Sequence, residues 1–467
     1  MQAIPVPVSR HRSGGEVVRP DRRPKVESPI DPAELQTPFV QTQPTETQSA
    51  ETQPAQNQQD RTGTWAPLAT PLFRWFWVAS LVSNLGTWVH EVGAGWLMTS
   101  LDADPSMVSA VRVAISLPIM FMAIPVGGLT DRVDRRIVLI ITTLMLLAAT
   151  GTLTVITFNG TVTPWSLLAI TFAIGVSMVG HMLAWQATVP EMVPRNQMAR
   201  AVALGSISFN LARSVGPALG GALIVAIGTW STFGFNTASF AGVGTLLMFW
   251  KTPVKRTRPT DSFVHSLVVG LRGSLDKSPI RASLCNLALF VLPASCLWAL
   301  LPLYVRQDLG GDPKFYGVLV TLLGSGAVTA AMFLHRIQTK HGFDNTVAAT
   351  MAIYGTTMFV LGRFTSSPVA MTCLFIMGAC WMMTLTTLNS TLQLNLPSEI
   401  RGRGMSLYVT VMSFSMAAGS FFWGELASQV GVPQAIAIAG GILMATAVFS
   451  VKFRLQPEPP VDEVAVA

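Results

Sequence analysis

Apolar runs of about twenty residues, separated by short polar turns, recur along this chain from residue 73 to residue 453. A helix of about twenty apolar residues is long enough to cross the hydrocarbon core of a bilayer. Half of all residues are hydrophobic and only 12% are charged, which is far from the balance of a soluble globular protein. The sequence therefore predicts an all-α membrane protein that crosses the bilayer many times.

Twelve runs predict twelve transmembrane helices, and their even number places both chain ends on the same side of the membrane. The predicted spans are 73–98, 107–129, 137–158, 164–187, 201–227, 231–250, 282–304, 315–334, 346–362, 368–391, 404–425 and 433–453.

Positive charge fixes the orientation of these spans, because Lys and Arg near span ends remain in the cytoplasm. The even-numbered connections contain sixteen Lys and Arg residues, whereas the odd-numbered ones contain three, Arg306, Lys314 and Arg363. We therefore expect both termini in the cytoplasm of a bacterial inner-membrane protein. Since the first seventy residues lack a secretory signal, the first span is expected to direct insertion.

The regions outside the spans differ in composition. Residues 1–70 are rich in Gln, Thr and Pro, and a disordered cytoplasmic tail is expected because so little apolar area cannot offset chain entropy. Residues 251–281 begin with a basic run and continue with apolar residues at helical spacing, which predicts a cytoplasmic linker with an amphipathic helix. This linker separates six-helix bundles at 73–250 and 282–453, and residues 454–467 form a C-terminal tail.

An internal repeat relates the two bundles. Five residue pairs are each separated by 203 residues: Pro194 and Pro397, Arg200 and Arg403, Gly216 and Gly419, Gly221 and Gly424, and Gly228 and Gly431. Two pseudo-symmetric six-helix bundles are therefore expected, and in parallel repeats of this size the substrate site lies at their interface near mid-membrane. At the same offset Asp131 corresponds to Leu334 and Arg213 to Met416, so we expect the charged functions in the first half.

A charged cluster lies between the second and third spans. Glycines beside it allow two helices to approach closely, and its basic residues keep the turn cytoplasmic. The pattern Gly-x-x-x-Asp-Arg-x-x-Arg-Arg resembles the signature of the major facilitator superfamily of secondary transporters, although Asp134 stands where that family usually has Gly. The resemblance implies a gating motif formed by Gly127, Asp131, Arg132, Arg135 and Arg136. A basic loop that only fixes topology is the alternative.

The fifth span contains Gly216, Pro217, Gly220 and Gly221. Glycines open a groove for a neighbouring helix, and proline frees a backbone carbonyl and permits a kink. These residues resemble the helix 5 motif of antiporters in the same superfamily. Together with residues 185–195 they resemble the exporter branch of the enterobactin exporter and the transmembrane secretion effectors. Glycine-rich packing without a directional role is the alternative.

Ionisable residues inside spans are costly and usually functional. Glu91 in the first span and Arg112 in the second lie at matching depths, which predicts an ion pair. The pair is either a fixed structural contact or part of proton coupling through Glu91 or His90. His181 in the fourth span is a further candidate for proton coupling, with hydrogen-bonded packing as its alternative.

Asn210 and Arg213 are expected to contact the substrate, because Arg213 lies near the middle of the fifth span, where exposure to lipid would be expensive. Seven large side chains could line a broad cavity, although ordinary packing is the simpler interpretation of each: Met178, Met182, Met382, Met383, Trp185, Trp298 and Trp381. Trp residues near span ends are predicted to anchor at the membrane interface: Trp75, Trp77, Trp96, Trp165 and Trp230. The four cysteines are predicted to be packing residues: Cys285, Cys296, Cys373 and Cys380.

These features predict an exporter that works by alternating access. It would move a siderophore, another secreted metabolite or a toxic amphiphile outward in exchange for protons. No Gly-x-x-x-x-Gly-Lys-Ser/Thr phosphate loop occurs, so a gradient is expected to supply the energy. An uptake symporter and a transporter-like sensor or scaffold are the alternatives. The expected partners are a small-molecule substrate, protons and the lipid bilayer, and the expected state is a monomer without cofactor, metal, nucleic acid or enzymatic activity.

Overall fold

The computed structural model describes residues 65–130, 134–188, 192–250, 278–396 and 401–455, and every regular element in these ranges is helical. The eleven α-helices in these ranges are α1 (Pro71–Leu101), α2 (Pro105–Thr130), α3 (Arg135–Phe158), α4 (Pro164–Thr188), α5 (Met198–Ile227), α6 (Trp230–Phe249), α7 (Ser278–Gln307), α8 (Pro313–Arg363), α9 (Ser367–Asn395), α10 (Arg401–Val430) and α11 (Val432–Ser450). Nine of these, all except α1 and α6, contain stretches long and apolar enough to cross a membrane.

Residues at the helix ends explain where several helices begin and stop. Asp134 precedes α3 and accepts a hydrogen bond from the backbone N–H of Arg136 at 2.9 Å. Asp312 precedes α8 and accepts one from the backbone N–H of Phe315 at 2.7 Å. Such caps satisfy backbone donors that have no partner within the helix.

The eighth and ninth predicted spans, 315–334 and 346–362, both lie within α8, where a kink at Gly342 separates two helices. Within Pro313–Arg363 only Gly342 departs from helical geometry, with φ of 76° and ψ of 171°. Residues 335–341 include Arg, Gln and Lys, which favour helix, so the helix continues through the polar stretch until glycine permits a positive φ. The break at Gly342 falls between the two predicted spans, but the polar residues before it extend the first helix instead of forming a turn.

We divide the helices by their order in the chain into the first half (α1–α6) and the second half (α7–α11). In the first half α1 packs against α5 and α6, α2 against α4, and α3 against α4 and α6. In the second half α8 packs against α9 and α11, and α7 against α10 and α11. The halves meet where α2 packs against α10 and α5 against α8.

The glycines paired by the sequence repeat make matching contacts. Gly216 on α5 lies against α1, and Gly419 on α10 lies against α7. Gly221 on α5 faces α8 in the other half, and Gly424 on α10 faces α2 in the other half. Gly216 and Gly419 therefore each contact a helix of their own half, whereas Gly221 and Gly424 each contact a helix of the opposite half.

Hydrogen bonds and ring contacts join the halves at one end of the helices, where α1 ends and α8 begins. We call this the contact end and define it by residues 96–112 and 213–221 of the first half and 298–324 and 424–428 of the second.

Several predicted features lie outside the described residues. They are most of the N-terminal tail (1–64), Asp131 and Arg132 of the gating motif, most of the linker (251–277) and the end of the C-terminal tail (456–467). Among the cysteines, Cys296, Cys373 and Cys380 are buried as predicted for packing residues, whereas Cys285 is exposed.

Candidate functional site

An ion pair joins the first two helices inside the apolar core. The Arg112 guanidinium on α2 donates to the Glu91 carboxylate on α1, as the matching depths predicted. Their side chains are only 18% and 22% exposed. Since removing one partner from a buried pair leaves an uncompensated charge, each residue depends on the other.

Arg112 also reaches the second half. Its guanidinium lies over the Trp298 ring of α7, 5.5 Å from the ring centroid. Trp298 packs on Trp381 of α9 at 5.4 Å between ring centroids, and Trp381 packs in turn on Phe290 and Tyr354. The ion pair of the first half thus faces an aromatic cluster of the second.

Arg213 lies half-buried in the middle of α5, beside α8. A β-carbon on Gly324 of α8 would stand 3.0 Å from the Arg213 carbonyl oxygen. The Nε and Nη2 atoms of Arg213 are buried and donate to no described residue, and the Tyr354 hydroxyl and the Trp298 indole nitrogen share this property. Glu91 and Tyr354 interact electrostatically with Arg213. A ligand with acceptor groups could satisfy these unpaired donors from the two halves.

The two histidine rings pack against aromatic side chains of the first half. His90 is 5% exposed and packs edge-on against Phe233 of α6 at 4.9 Å. His181 is 8% exposed, stacks on Trp185 at 5.8 Å, and its Nδ1 lies 3.4 Å from the hydroxyl of Thr143. The structure places both rings within the packing of the first half.

Asn210 lies one turn before Arg213 on α5. Its amide donates to the Ser206 carbonyl oxygen of the same helix at 2.8 Å, which leaves the amide oxygen available to another partner.

The fifth-helix glycines contact two different neighbours. A β-carbon on Gly216 would lie 2.6 Å from the Trp88 side chain, and one on Gly220 would lie 3.2 Å from the Val89 carbonyl oxygen, both on α1. Gly221 instead faces α8, where its β-carbon would lie 2.6 Å from the Pro313 carbonyl oxygen. The motif thus packs α5 closely against its own half and against the opposite half.

The contact end is also closed by Arg306 of α7. Its Nη1 donates to the hydroxyls of Ser100 at 2.5 Å and Thr99 at 3.2 Å, and its guanidinium lies 5.7 Å from the Trp96 ring centroid. Trp96 stacks on Tyr316 of α8 at 6.1 Å. Trp96 is only 8% exposed, so its predicted interfacial position is wrong, because the ring is covered by the second half. Trp75 and Trp165, 59% and 70% exposed, remain available to lipid.

Two carboxylates flank this end outside the helices. Ser428 of α10 donates to Asp104 at 2.6 Å and lowers the pKa of that carboxyl, and the backbone N–H of Ser106 adds to the effect. Burial has the opposite effect on Asp308, between α7 and α8, and raises its pKa to about 6.

The described part of the predicted gating motif makes contacts within the first half. Gly127 lies in α2, and Arg135 and Arg136 begin α3. The Arg136 guanidinium donates to the Met248 carbonyl oxygen at 3.2 Å and the Leu247 carbonyl oxygen at 3.4 Å. It thereby satisfies carbonyls at the end of α6 and ties that end to the start of α3.

An apolar groove of about 330 Å³ lies apart from these charged groups, between α2, α4 and α10. Its lining is Ala110, Val113, Ala114, Trp165, Leu168, Ala169, Phe172 and Phe421. It contains none of the polar groups described above, so the ion pair and Arg213 mark the stronger candidate site.

Comparison with known proteins identifies the family. The family model for transmembrane secretion effectors matches residues 62–466. The chain belongs to this family. The staphyloferrin A transporter of Staphylococcus aureus is 21% identical to this protein, and the alignment covers 79% of this chain and 92% of the relative. Macrolide efflux protein A of Streptococcus pyogenes is 20% identical, and that alignment covers 80% of this chain and 94% of the relative.

The protein also shares its fold with transporters of known structure. The crystal structure of the nucleoside transporter NupG aligns with a TM-score of 0.62, at 11% identity, over 82% of this chain and 100% of that chain. The chain is therefore a multi-pass membrane protein of a bacterial transporter family of the major facilitator type. Its family and relatives are transporters, which are generally not enzymes.

Several residues of the candidate site could not be predicted from the sequence. The sequence identifies Arg306 only as a charge in a connection between spans, and it assigns no role to Tyr316 or Tyr354. Their roles depend on contacts between helices that are distant in sequence, such as Trp96 with Tyr316. The sequence offers one indication: Trp96 and Trp298 occupy nearly equivalent positions in the internal repeat.

Proposed function

We propose that this protein exports a small organic molecule across the bacterial inner membrane by alternating access, in exchange for protons. The observation that carries the proposal is the partly buried Glu91–Arg112 pair, whose arginine also contacts Trp298 of the other half. A carboxylate that can be protonated, linked to the contact between two rocking halves, is what proton exchange requires. The efflux function named for the macrolide relative supports the outward direction.

We further propose twelve spans in two six-helix bundles, counting α8 as two spans divided at Gly342. The matching contacts of the repeat-paired glycines support this arrangement. The bundles would comprise residues 73–250 and 282–453, with cytoplasmic segments at 1–70, 251–281 and 454–467.

The distribution of Lys and Arg supports cytoplasmic termini. With that orientation the contact end faces outward, and its hydrogen bonds and ring contacts belong to a state closed to the outside. The gating motif formed by Gly127, Asp131, Arg132, Arg135 and Arg136 would then lie at the inner end. In the proposed cycle Asp131 helps to close that end in the opposite state.

Arg213 and Asn210 are proposed to bind the substrate. Arg213 supplies buried donors without a described partner beside the second half, and Asn210 supplies an amide oxygen one turn away. The helix 5 motif, with Gly216, Pro217, Gly220 and Gly221, would let α5 pivot between α1 and α8. A siderophore, another secreted metabolite or a toxic amphiphile remains the proposed cargo.

Glu91 is the proposed proton carrier. His90 and His181 rank behind Glu91, because their rings pack against aromatic side chains, whereas Glu91 pairs with Arg112. If the Glu91–Arg112 pair is only a fixed structural contact, these histidines become the next sites to test.

Flux in everted vesicles tests the function. Radiolabelled staphyloferrin A and a labelled macrolide serve as probes, with an imposed acid-inside gradient and nigericin to collapse it. The proposal expects gradient-dependent accumulation of at least one probe by the parent and its loss in Glu91→Gln. Accumulation only in right-side-out vesicles under outside acid would indicate an uptake symporter. Saturable binding without flux in either orientation would indicate a sensor.

A further inference from the structure

Two cation–ring contacts cross the contact end in opposite directions. Arg112 of the first half lies over Trp298 of the second, at 5.5 Å. Arg306 of the second half lies over Trp96 of the first, at 5.7 Å. The tryptophans lie on α1 and α7, the first helices of the two halves, so the contacts form a reciprocal pair.

The two contacts differ in what else holds the arginine. Arg306 donates to the neutral hydroxyls of Thr99 and Ser100. Arg112 donates to the Glu91 carboxylate, whose charge depends on protonation. Only the Arg112 contact can therefore change its electrostatics when a proton binds at Glu91.

An ionised Glu91 opposes the attraction of the Arg112 cation for the Trp298 ring, because the carboxylate neutralises most of the guanidinium charge. When Glu91 is neutral, the full cation faces the ring quadrupole in a partly desolvated setting, where such contacts are strongest. We propose that Trp298 is the positioning residue through which the second half detects protonation of Glu91. Proton binding tightens the Arg112–Trp298 contact and thereby favours the closed contact end.

The surroundings of Glu91 support this assignment. The charged and titratable groups that interact with it from neighbouring helices are Arg112 of α2, Arg213 of α5 and Tyr316 of α8. Its neighbour His90 faces Phe233 of α6 instead. Arg112 is the one of these three that also lies over a ring of the second half.

The inference rests on the proposed proton exchange. In that exchange, proton binding must favour closure of the contact end. A carrier loaded with a proton from outside must close outward before it releases the proton inward. Protonation that strengthens the contact end produces this order of events.

Fluorinated tryptophans test the inference, since added fluorines weaken a cation–ring contact with little change in shape. A series of them is introduced at position 298 by amber suppression, and a matched series at position 96. Spin labels at Thr161→Cys and Thr365→Cys, both on exposed turns, report the distance between the halves in lipid nanodiscs without substrate. Exposed Cys285 is replaced by Ser in every variant.

The parent is expected to shift toward the short distance as the pH falls. Fluorination at 298 should reduce the closed-to-open ratio at low pH, roughly fivefold across the series, with little effect at high pH. Fluorination at 96 should weaken closure equally at all pH values. Glu91→Gln should remain closed at every pH and stay sensitive to fluorine at 298.

A closed population that is unaffected by fluorine at 298, or is reduced equally at all pH values, would overturn the inference. Flux of the unlabelled parent separates this failure from that of the proposed function. Proton-driven export with a flat fluorine series refutes the role of Trp298 alone. Absence of proton-driven export with an intact fluorine response refutes the transport cycle but leaves the coupling between Glu91 and Trp298.

Discussion

Gly317 of α8 lies directly against Pro217 of α5, so closely that a β-carbon on Gly317 would stand 2.5 Å from the Pro217 carbonyl oxygen. A β-carbon there would also lie 3.3 Å from the α-carbon of Gly221. The two halves therefore touch backbone to backbone at this point. Backbone atoms cannot move aside as a flexible side chain can, so any side chain at 317 must push the helices apart.

Gly317→Ala should shift the protein toward a state with the contact end open. Overpacking a close contact costs about 1 to 3 kcal/mol, which is enough to change the balance between two states of similar energy. Distance measurements between labels at Thr161 and Thr365 would record the shift. Gly205→Ala on α5 is the control, since nothing lies within 4 Å of its added carbon. Equal distance distributions in both variants would contradict the assignment.

Much of the fold could be predicted because one physical signal, apolar length, recurs with every span. The predicted fifth span, 201–227, corresponds to Met198–Ile227, and the predicted third, 137–158, to Arg135–Phe158. The break at Gly342 falls between the predicted eighth and ninth spans, but the helical residues just before it could not be predicted, because a polar stretch of good helix formers resembles a loop in hydropathy.

The charged part of the candidate site was more predictable than its partners. Cost and depth within a span identify Glu91, Arg112 and Arg213 without any structure. Hydrophobic residues give no such signal, because an aromatic ring facing lipid and one facing an arginine have the same sequence context. Sequence reasoning accordingly places Trp96 at the membrane interface and does not reveal the contact between Trp298 and Arg112.

Asp134→Ala should lower the free energy of unfolding by about 1 kcal/mol, because it removes the side-chain oxygen that caps α3. Asp134→Gly, which restores the residue usual in the superfamily signature, should cost only a few tenths of a kcal/mol. Thermal unfolding of the purified variants in detergent measures the difference. An unchanged melting temperature in Asp134→Ala would mean that the cap contributes little.

Asp308→Asn should make the protein more stable at pH 8, by a shift in melting temperature on the order of 2 °C. Burial raises the pKa of the Asp308 carboxyl to about 6, so the folded state holds the proton more tightly than the unfolded state does. The associated stability is present below the ordinary pKa and is lost as the pH rises through about 6. The advantage of Asn should therefore shrink between pH 6 and pH 4. A constant difference across this range would exclude Asp308 as its source.

Arg213→Lys and Arg213→Ala should both weaken substrate binding, and Ala should do so more. Lys keeps the charge but loses the planar fork of donors that Arg213 directs toward the second half. Affinity of the transported probe, measured by equilibrium binding to purified protein, separates this effect from altered turnover. Unchanged affinity in both variants would remove Arg213 from the substrate site.

Neutralisation of Arg112 should be more damaging than that of Glu91, at about 3 kcal/mol for a carboxylate left without its partner in a mostly buried site. Arg112→Gln strands the Glu91 carboxylate, so its expression and melting temperature should fall. Glu91→Gln leaves Arg112 on Trp298 and should fold better while losing the response to pH.

The exchange Glu91→Arg with Arg112→Glu distinguishes a structural pair from a coupling device. Opposite charges would face each other again, but the carboxylate would lie on Trp298 and the new arginine would approach Arg213, which already interacts with position 91. We therefore expect partial recovery of the melting temperature without recovery of proton-driven flux in everted vesicles. Full recovery of flux would mean that only the attraction matters and that the pair is structural. Normal expression and an unaltered pH profile of flux in Glu91→Gln would move the search for the proton carrier to His181.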